Sequence, residues 1–406
     1  MLSYFPTPYP HEWWWSVLCR YFVRSGYHNH ATAIKELSPS HSKSLGRLFP
    51  AGDIYEVVFQ LPQTLFSIEE IVLQHTLAPY YLRFYPTDKK NQALASLLNG
   101  KGVGLTSIEL CTPEQKQGLK WCPQCRLEDG STYGESYWHR EHQIPLMPLC
   151  PKHGCRLVLH EIPFARLSEL FVPLCGLPDA EAQYGCQLWE PPLSTTLYKL
   201  LTLPFGTGVL PYNNLERALI TDGYSSSAIR GKGTLNAPKV YAACASLYGP
   251  AISSQYFAKV SPAVLYRICH WKLTSPERYA LLMVLANLTP EELFGPQAPF
   301  VDPALTALLE LQKRGIAYRK RELSEAVGVT PSQLDTLARQ YGISPFWKQN
   351  GTARTENIRV ALTPAERQSI LDAAAAHGNG QAAVFARAIL LREAERILHD
   401  CKSKED

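Results

Sequence analysis

Two short knuckles constrain this chain more than any other feature. Cys122-Pro123-Gln124-Cys125 is a CxxC pair, and Cys150-Pro151-Lys152-His153 is a CxxH pair. A two-residue spacer lets both side chains of a knuckle turn toward one ion, and Gly154 relieves the tight turn after the second knuckle. Twenty-four residues lie between Cys125 and Cys150, an interval at which two knuckles close a tetrahedral site of three cysteines and one histidine, as in zinc ribbons. Four protein donors fill the shell of Zn2+ and leave no open position, so the expected site is structural. The alternative is a set of buried free thiols.

The metal reading needs reduced cysteines. Residues 1–15 lack the basic and apolar regions of a signal peptide. No apolar run reaches the roughly 18 residues that a membrane helix needs. A cytoplasmic, nucleoid-associated protein of a bacterium is therefore expected, without a membrane partner. In that setting paired spacings among the eleven cysteines read as metal sites before disulfides. Cys155, Cys175 and Cys186 could build a second site, but their spacing matches no standard knuckle, and buried thiols are the simpler reading. His139-Arg140-Glu141, followed by Pro148 to His153, faintly echoes the zinc deaminase signature. That signature ends in CxxC, the intervening segment here is very short, and Cys122 and Cys125 would have no task. No catalytic constellation emerges, so no enzymatic activity is expected.

The 406 residues leave room for several domains, and 46% hydrophobic with 19% charged residues is an ordinary globular composition. Net charge is only +4 and decides nothing about nucleic acid. The local distribution says more: Lys313 to Arg367 holds ten basic and five acidic residues, an excess of five. Such a stretch is a candidate phosphate footprint, and a solvated face is the alternative. Patterning suggests a mainly α, multidomain chain. Residues 1–112 form a helical domain, with a capping box at Ser67–Glu70 opening a helix that carries Ile71 and Val72. Residues 113–165 form the zinc ribbon and 166–300 a further helical domain. Residues 301–350 and 351–406 form two compact units.

Each of the last two units has the form of a DNA reader. Arg321 to Leu334 reads as helix-turn-helix, with Leu323, Ala326 and Val327 packing and Gly328 in the turn. Thr330 caps the second helix, with Pro331 first and Gln333 closing the box. Leu334, Leu337 and Ala338 face inward. That leaves Ser332, Gln333 and Thr336 outward, at the end where a recognition helix meets base edges, with Lys320 and Arg321 placed for phosphates. An ordinary helical hairpin is the alternative. In the last unit Asn357 to Leu362 alternates as a strand. Thr363-Pro364-Ala365-Glu366 then caps a helix carrying Ile370 and Leu371, residues 378–380 end it, and a second helix carries Val384, Phe385, Ile389 and Leu390. This is a ribbon-helix-helix-like pattern, against the alternative of a helical tail. Its polar strand face, Thr355, Asn357 and Arg359, would read bases, since Asn suits adenine and Arg guanine. One short strand cannot bury its face alone, so a homodimer is expected. A small basic loop around Arg230 and Lys232 is a further candidate contact.

Three stretches together resemble the TniQ/TnsD family of transposon target-selection proteins. They are Phe5 to Arg20, with its proline-rich start and Trp13-Trp14-Trp15; Gln74 to Tyr81; and Trp121 through Tyr133-Gly134-Glu135, Trp138 and Ile144-Pro145 to Gly154. Weaker likeness continues through Ser225–Thr234 and Ser275–Arg278. The ribbon-helix-helix-like tail lies outside the family pattern. The resemblance implies a protein that binds double-stranded DNA at a chromosomal target and recruits an AAA+ ATPase, which licenses the transposase. It places the zinc ligands at Cys122, Cys125, Cys150 and His153. It puts the ATPase-facing surface in the N-terminal region, around Trp13, Trp14 and Arg20; for the tryptophans, core aromatic packing is the other reading. Two alternative functions stand beside this one: an adaptor for a CRISPR guide-RNA complex, and a zinc-containing transcriptional regulator.

Overall fold

The structure, a computed structural model, describes residues 2, 4–40, 52–100, 118–162, 166–167, 169–205, 214–226, 234–257, 261–269, 275–295, 303–316, 318–347, 360, 362–376 and 382–402. It is mainly helical, and two units, 1–347 and 348–406, are each compact.

The first unit opens with α1 (Trp14–Arg24), α2 (His30–Leu37), α3 (Gly52–Phe59), α4 (Ile68–Gln74), α5 (Ala78–Leu82) and α6 (Thr87–Leu98). Eight consecutive residues of α1, Trp14 to Tyr21, are buried. Its aromatic and aliphatic side chains pack inside the core, and Trp13, which precedes it, and Trp14 are core residues, 1% and 3% exposed. Ser67 caps α4 by accepting from the Glu70 N–H, and Ile71 and Val72 point inward, as the local sequence requires.

The knuckle region follows: β1 (Leu119–Trp121), α7 (Pro123–Tyr133) and β2 (Val158–His160). The two strands are antiparallel, with Leu119 opposite His160 and Trp121 opposite Val158. Three residues per strand bury too little to stand alone, and this segment is instead tied to the start of the chain. Trp13 N–H donates to Trp138 O at 2.8 Å, and Arg140 N–H donates to His11 O at 2.9 Å. Trp138 N–H donates to Ser16 Oγ at 3.0 Å, and Trp15 Nε1 to Leu167 O at 3.0 Å.

Next come α8 (Glu190–Thr202), α9 (Asn214–Thr221), α10 (Ala237–Phe257), α11 (Pro262–Cys269), α12 (Pro276–Leu285) and α13 (Pro290–Phe294). Helix α10 is broken at Gly249, whose φ of 79° and following Pro250 end one helical run and start another. Helix α8 packs against α5 and α12. Tyr80 OH donates to the buried Glu277 at 3.1 Å, Arg83 Nε to Leu200 O at 2.6 Å, and Phe84 stacks on Tyr279 at 4.3 Å. One continuous apolar core thus runs from Leu2 to Leu293.

Helices α14 (Pro303–Lys313), α15 (Lys320–Val327) and α16 (Pro331–Gln340) have a core of their own, built from Ala304, Leu308, Leu323, Val327, Val329, Leu334, Leu337, Ala338 and Trp347. Gly328, at φ 75°, ends α15, and Thr330 and Gln333 form the capping box of α16. Ala326 is exposed, and Val329 fills the core instead. The left-handed glycine turns the chain back after Val327 and carries Val329 inward.

The second unit shows α17 (Pro364–Ala376) packed on α18 (Ala382–Lys402). Thr363 caps α17, giving and receiving a hydrogen bond with Glu366. Of the strand expected over 357–362, only Val360 and Leu362 are described. Among the described residues, no helix is long and apolar enough to cross a membrane.

The polar exception in the main core is Glu12. It is fully buried and accepts from Tyr9 N–H at 2.9 Å, Ser16 Oγ at 2.8 Å, and Arg20 Nε and Nη2 at 2.9 and 2.7 Å. Arg20 also lies 3.9 Å over the Tyr9 ring. Truncating one partner strands the other charge in a low-dielectric site. Arg20→Ala should therefore destabilise the first unit by about 3–5 kcal/mol, measured as a shift of the urea midpoint by tryptophan fluorescence. A loss below about 1 kcal/mol, the range of exposed pairs, would show that the pair is not structurally required.

Candidate metal centre

Cys122 follows β1 and caps α7: its backbone is extended at φ −106°, and its Sγ accepts from the Cys125 N–H at 3.4 Å. Pro123 occupies the first helical position, where its missing N–H costs nothing. The second knuckle repeats the device: His153 N–H donates to Cys150 Sγ at 3.4 Å, and Gly154, at φ 66°, donates to Cys150 O at 2.8 Å. A left-handed residue closes that turn, which suits glycine.

The two knuckles bring four donors together, all within 4.8 Å of one another. His153 Nδ1 lies 3.5, 3.3 and 3.6 Å from the sulfurs of Cys122, Cys125 and Cys150, and the Cys125 and Cys150 sulfurs are 3.7 Å apart. Bonds of about 2.3 Å to sulfur and 2.0 Å to nitrogen in a tetrahedron give edges of about 3.8 Å between sulfurs and about 3.5 Å from sulfur to nitrogen. The observed edges fit that polyhedron. Without a cation the thiols must share protons: hydrogen bonds from Cys122 and Cys125 hold the Cys150 thiol well below its ordinary value, and Cys125 is pushed far up by its own bonds to Cys122 and Cys150. A bound divalent cation would let all three ionise. The ring nitrogen left over on His153, Nε2, lies 3.3 Å from Glu128 Oε2, the outer carboxylate that commonly fixes a ligating imidazole.

Sequence reasoning missed Glu128 and the position of Cys155. Cys155 is fully buried, with its sulfur 3.3 Å from that of Cys122, while Cys175 and Cys186 are exposed. Among the described residues no second cluster of three or more such donors occurs.

The other candidate residues fall elsewhere. Ser332 and Thr336 are exposed on α16 and Gln333 is half-buried, its Oε1 accepting from Thr330 N–H at 2.9 Å. Lys320 pairs with Asp335, and the exposed Arg321 pairs with Glu325 at 3.1 Å. Trp13, Trp14 and Arg20 are buried, as described above. Arg230 and Lys232 lie outside the described residues, as do Thr355, Asn357 and Arg359; Ser226 and Thr234 at the base of the former loop pair at 2.8 Å.

Removal of one ligand and a metal count test the centre. Structural zinc contributes roughly 10–16 kcal/mol in small zinc peptides, so Cys125→Ala should yield protease-sensitive or aggregated protein. Elemental analysis should find one zinc per folded chain, and folded protein without zinc would reject the assignment.

Residues 3–157 match the TniQ family model. The same part of the chain is similar to a protein of Escherichia coli described as transposon Tn7 transposition protein TnsD, at 26% identity over 155 residues. That alignment takes in 37% of this chain and 30% of the relative, so the chain matches under a third of the length of that protein. The segment that matches the TniQ family, residues 3–157, holds Glu12 and all four candidate ligands.

Proposed function

We propose that this chain is a zinc-stabilised target selector for transposition: it binds a specific DNA duplex, recruits an AAA+ ATPase and through it the transposase, and performs no chemistry itself. The observation that carries this reading is the closed four-donor centre inside a TniQ-family segment. Four protein donors leave no site for a reacting water, so such a centre serves architecture. The likeness to a transposition protein supplies the context.

The helix-turn-helix of α15 and α16 is one reader. Its core holds the two helices at a fixed angle and leaves Ser332 and Thr336 outward at the start of α16. Gln333 supports the reader through its cap, and Lys320 and Arg321 serve as backbone contacts once DNA competes with Asp335 and Glu325 for them. Thr355, Asn357 and Arg359 form a second reader, with Arg230 and Lys232 as accessory contacts. The ATPase docks on the N-terminal region, whose surface Trp13, Trp14 and Arg20 hold in place from beneath. Helix α18 favours pairing with a second copy, since Ile389, Leu390, Leu391 and Ile397 remain 42–56% exposed along it.

Sequencing of chromosomal fragments captured by the purified protein should return one enriched sequence, and uniform recovery would reject target selection. Arg359→Ala should cost about 1–3 kcal/mol on that sequence and relax one base position. Lys320→Ala should instead weaken all duplexes alike and flatten the salt dependence by about one unit. Equal weakening of selected and scrambled duplexes by Arg359→Ala would remove the strand as a base reader. Truncation before Gly351 should move the mass by light scattering from dimer to monomer, and an unchanged mass would reject this mode of pairing.

A further inference from the structure

The three thiols of the metal centre are not equally supported. Cys122 Sγ accepts from Cys125 N–H and Cys150 Sγ from His153 N–H, both at 3.4 Å. Cys125 Sγ receives no such backbone bond among the described residues. Besides the sulfur of Cys150 and the ring of His153, it meets Nε2 of His142 at 3.9 Å, the outer range of a hydrogen bond to sulfur.

The His142 ring is fixed from both sides. It is 1% exposed and sits in the single turn Glu141–Gln143. Before it, Arg140 N–H donates to His11 O at 2.9 Å, and Arg140 Nη1 to Leu73 O at 2.6 Å. After it, Gln143 Nε2 donates to Lys120 O at 2.7 Å. The ring of His139 lies 5.0 Å away. His142 Nδ1 is buried without a hydrogen-bond partner among the described residues. An imidazole carries at least one proton. On Nδ1 that proton would be an orphaned buried donor, which native interiors avoid. On Nε2 it faces sulfur. A metal-bound thiolate has no proton to give, so with a cation in place the bond can run only from ring to sulfur. Three thiolates and one neutral imidazole around a divalent cation leave a buried negative charge, and each N–H aimed at sulfur stabilises it.

We propose that His142 is a positioning residue of the metal centre: its Nε2–H donates to the Cys125 thiolate and supplies the support that the knuckle backbone gives only to Cys122 and Cys150. The role rests on the zinc centre proposed above. It also joins that centre to the segment docked on the N-terminal helices, since the residues on either side of His142 carry the docking bonds. Partners of this kind orient a ligand and hold its charge without touching the metal.

The test uses the full-length protein, loaded with zinc or, for spectroscopy, with cobalt(II). His142→Phe keeps a flat ring and loses the donor. His142→Gln loses the ring and keeps an amide N–H at a similar reach. Zinc affinity, from chelator competition, should fall about tenfold or more in His142→Phe and lie closer to that of the unaltered protein in His142→Gln. A ring that only fills space would give the reverse order. The sulfur-to-cobalt charge-transfer band should move to lower energy in His142→Phe, because a sulfur lone pair without its hydrogen bond is less stabilised. Affinity in His142→Phe equal to or above that in His142→Gln, or an unshifted band, overturns the proposal. Should both variants fail to fold, NMR of the unaltered, zinc-loaded protein with isotope-labelled histidine decides: the His142 proton should reside on Nε2, and a proton on Nδ1 alone overturns the role. Folded, unaltered protein that binds no divalent metal defeats the zinc centre and this role together. Bound metal without the His142 effects defeats this role alone.

Discussion

The first unit depends on a carboxylate placed where carboxylates are expensive. Burying an ionised group in an apolar interior costs several kcal/mol unless it is paired and hydrogen-bonded. Glu12 meets that condition through Tyr9, Ser16 and Arg20, and these partners come from both the proline-rich start and α1. Its backbone neighbours, His11 and Trp13, are at the same time paired with Arg140 and Trp138. The aromatic helix, the chain before it and the knuckle segment are thereby fixed by one small network. His75 adds α4 to it, through a 2.8 Å contact between Nδ1 and Glu12 O.

This network explains how so slight a sheet can present four ligands. Strands of three residues hold little by themselves, and the knuckles supply only local N–H to sulfur bonds. What keeps the knuckles at the right separation is the docking of 137–144 on the N-terminal helices. Lys120 and Gln143 complete it by pairing across 23 residues, with Gln143 Nε2 on Lys120 O at 2.7 Å. A metal would lock the two knuckles into this frame and supply the stability that the short strands and local bonds lack.

The features legible in the sequence are those made by residues close in the chain. The knuckle ligands, the caps at Ser67, Thr330 and Thr363, and the inward face of α16 all follow from spacings of three or four. Ala326 misled because its place three residues after Leu323 fits the inward face, whereas α15 turns Leu323, Ser324 and Val327 inward. The contacts of Glu135 with Arg20 and Tyr9 join segments 115 and 126 residues apart, and no local pattern encodes such meetings. One clue was present. Ser16 and Arg20 stand at i and i+4 among the apolar residues of α1, with Glu12 two residues before the helix, and buried polar groups of that kind have to find their partners inside.

The separate core of residues 304–347 has an evolutionary consequence. The apolar packing around α1 ends at Leu293, and the packing behind α14, α15 and α16 begins at Ala304. A genetic crossover between those two positions would replace one three-helix module by another without cutting through buried side chains of either. Lineages could in this way inherit the N-terminal half unchanged while acquiring new tail modules, each bringing its own preference. Divergence should accordingly be steepest beyond residue 300 and most constrained around Glu12.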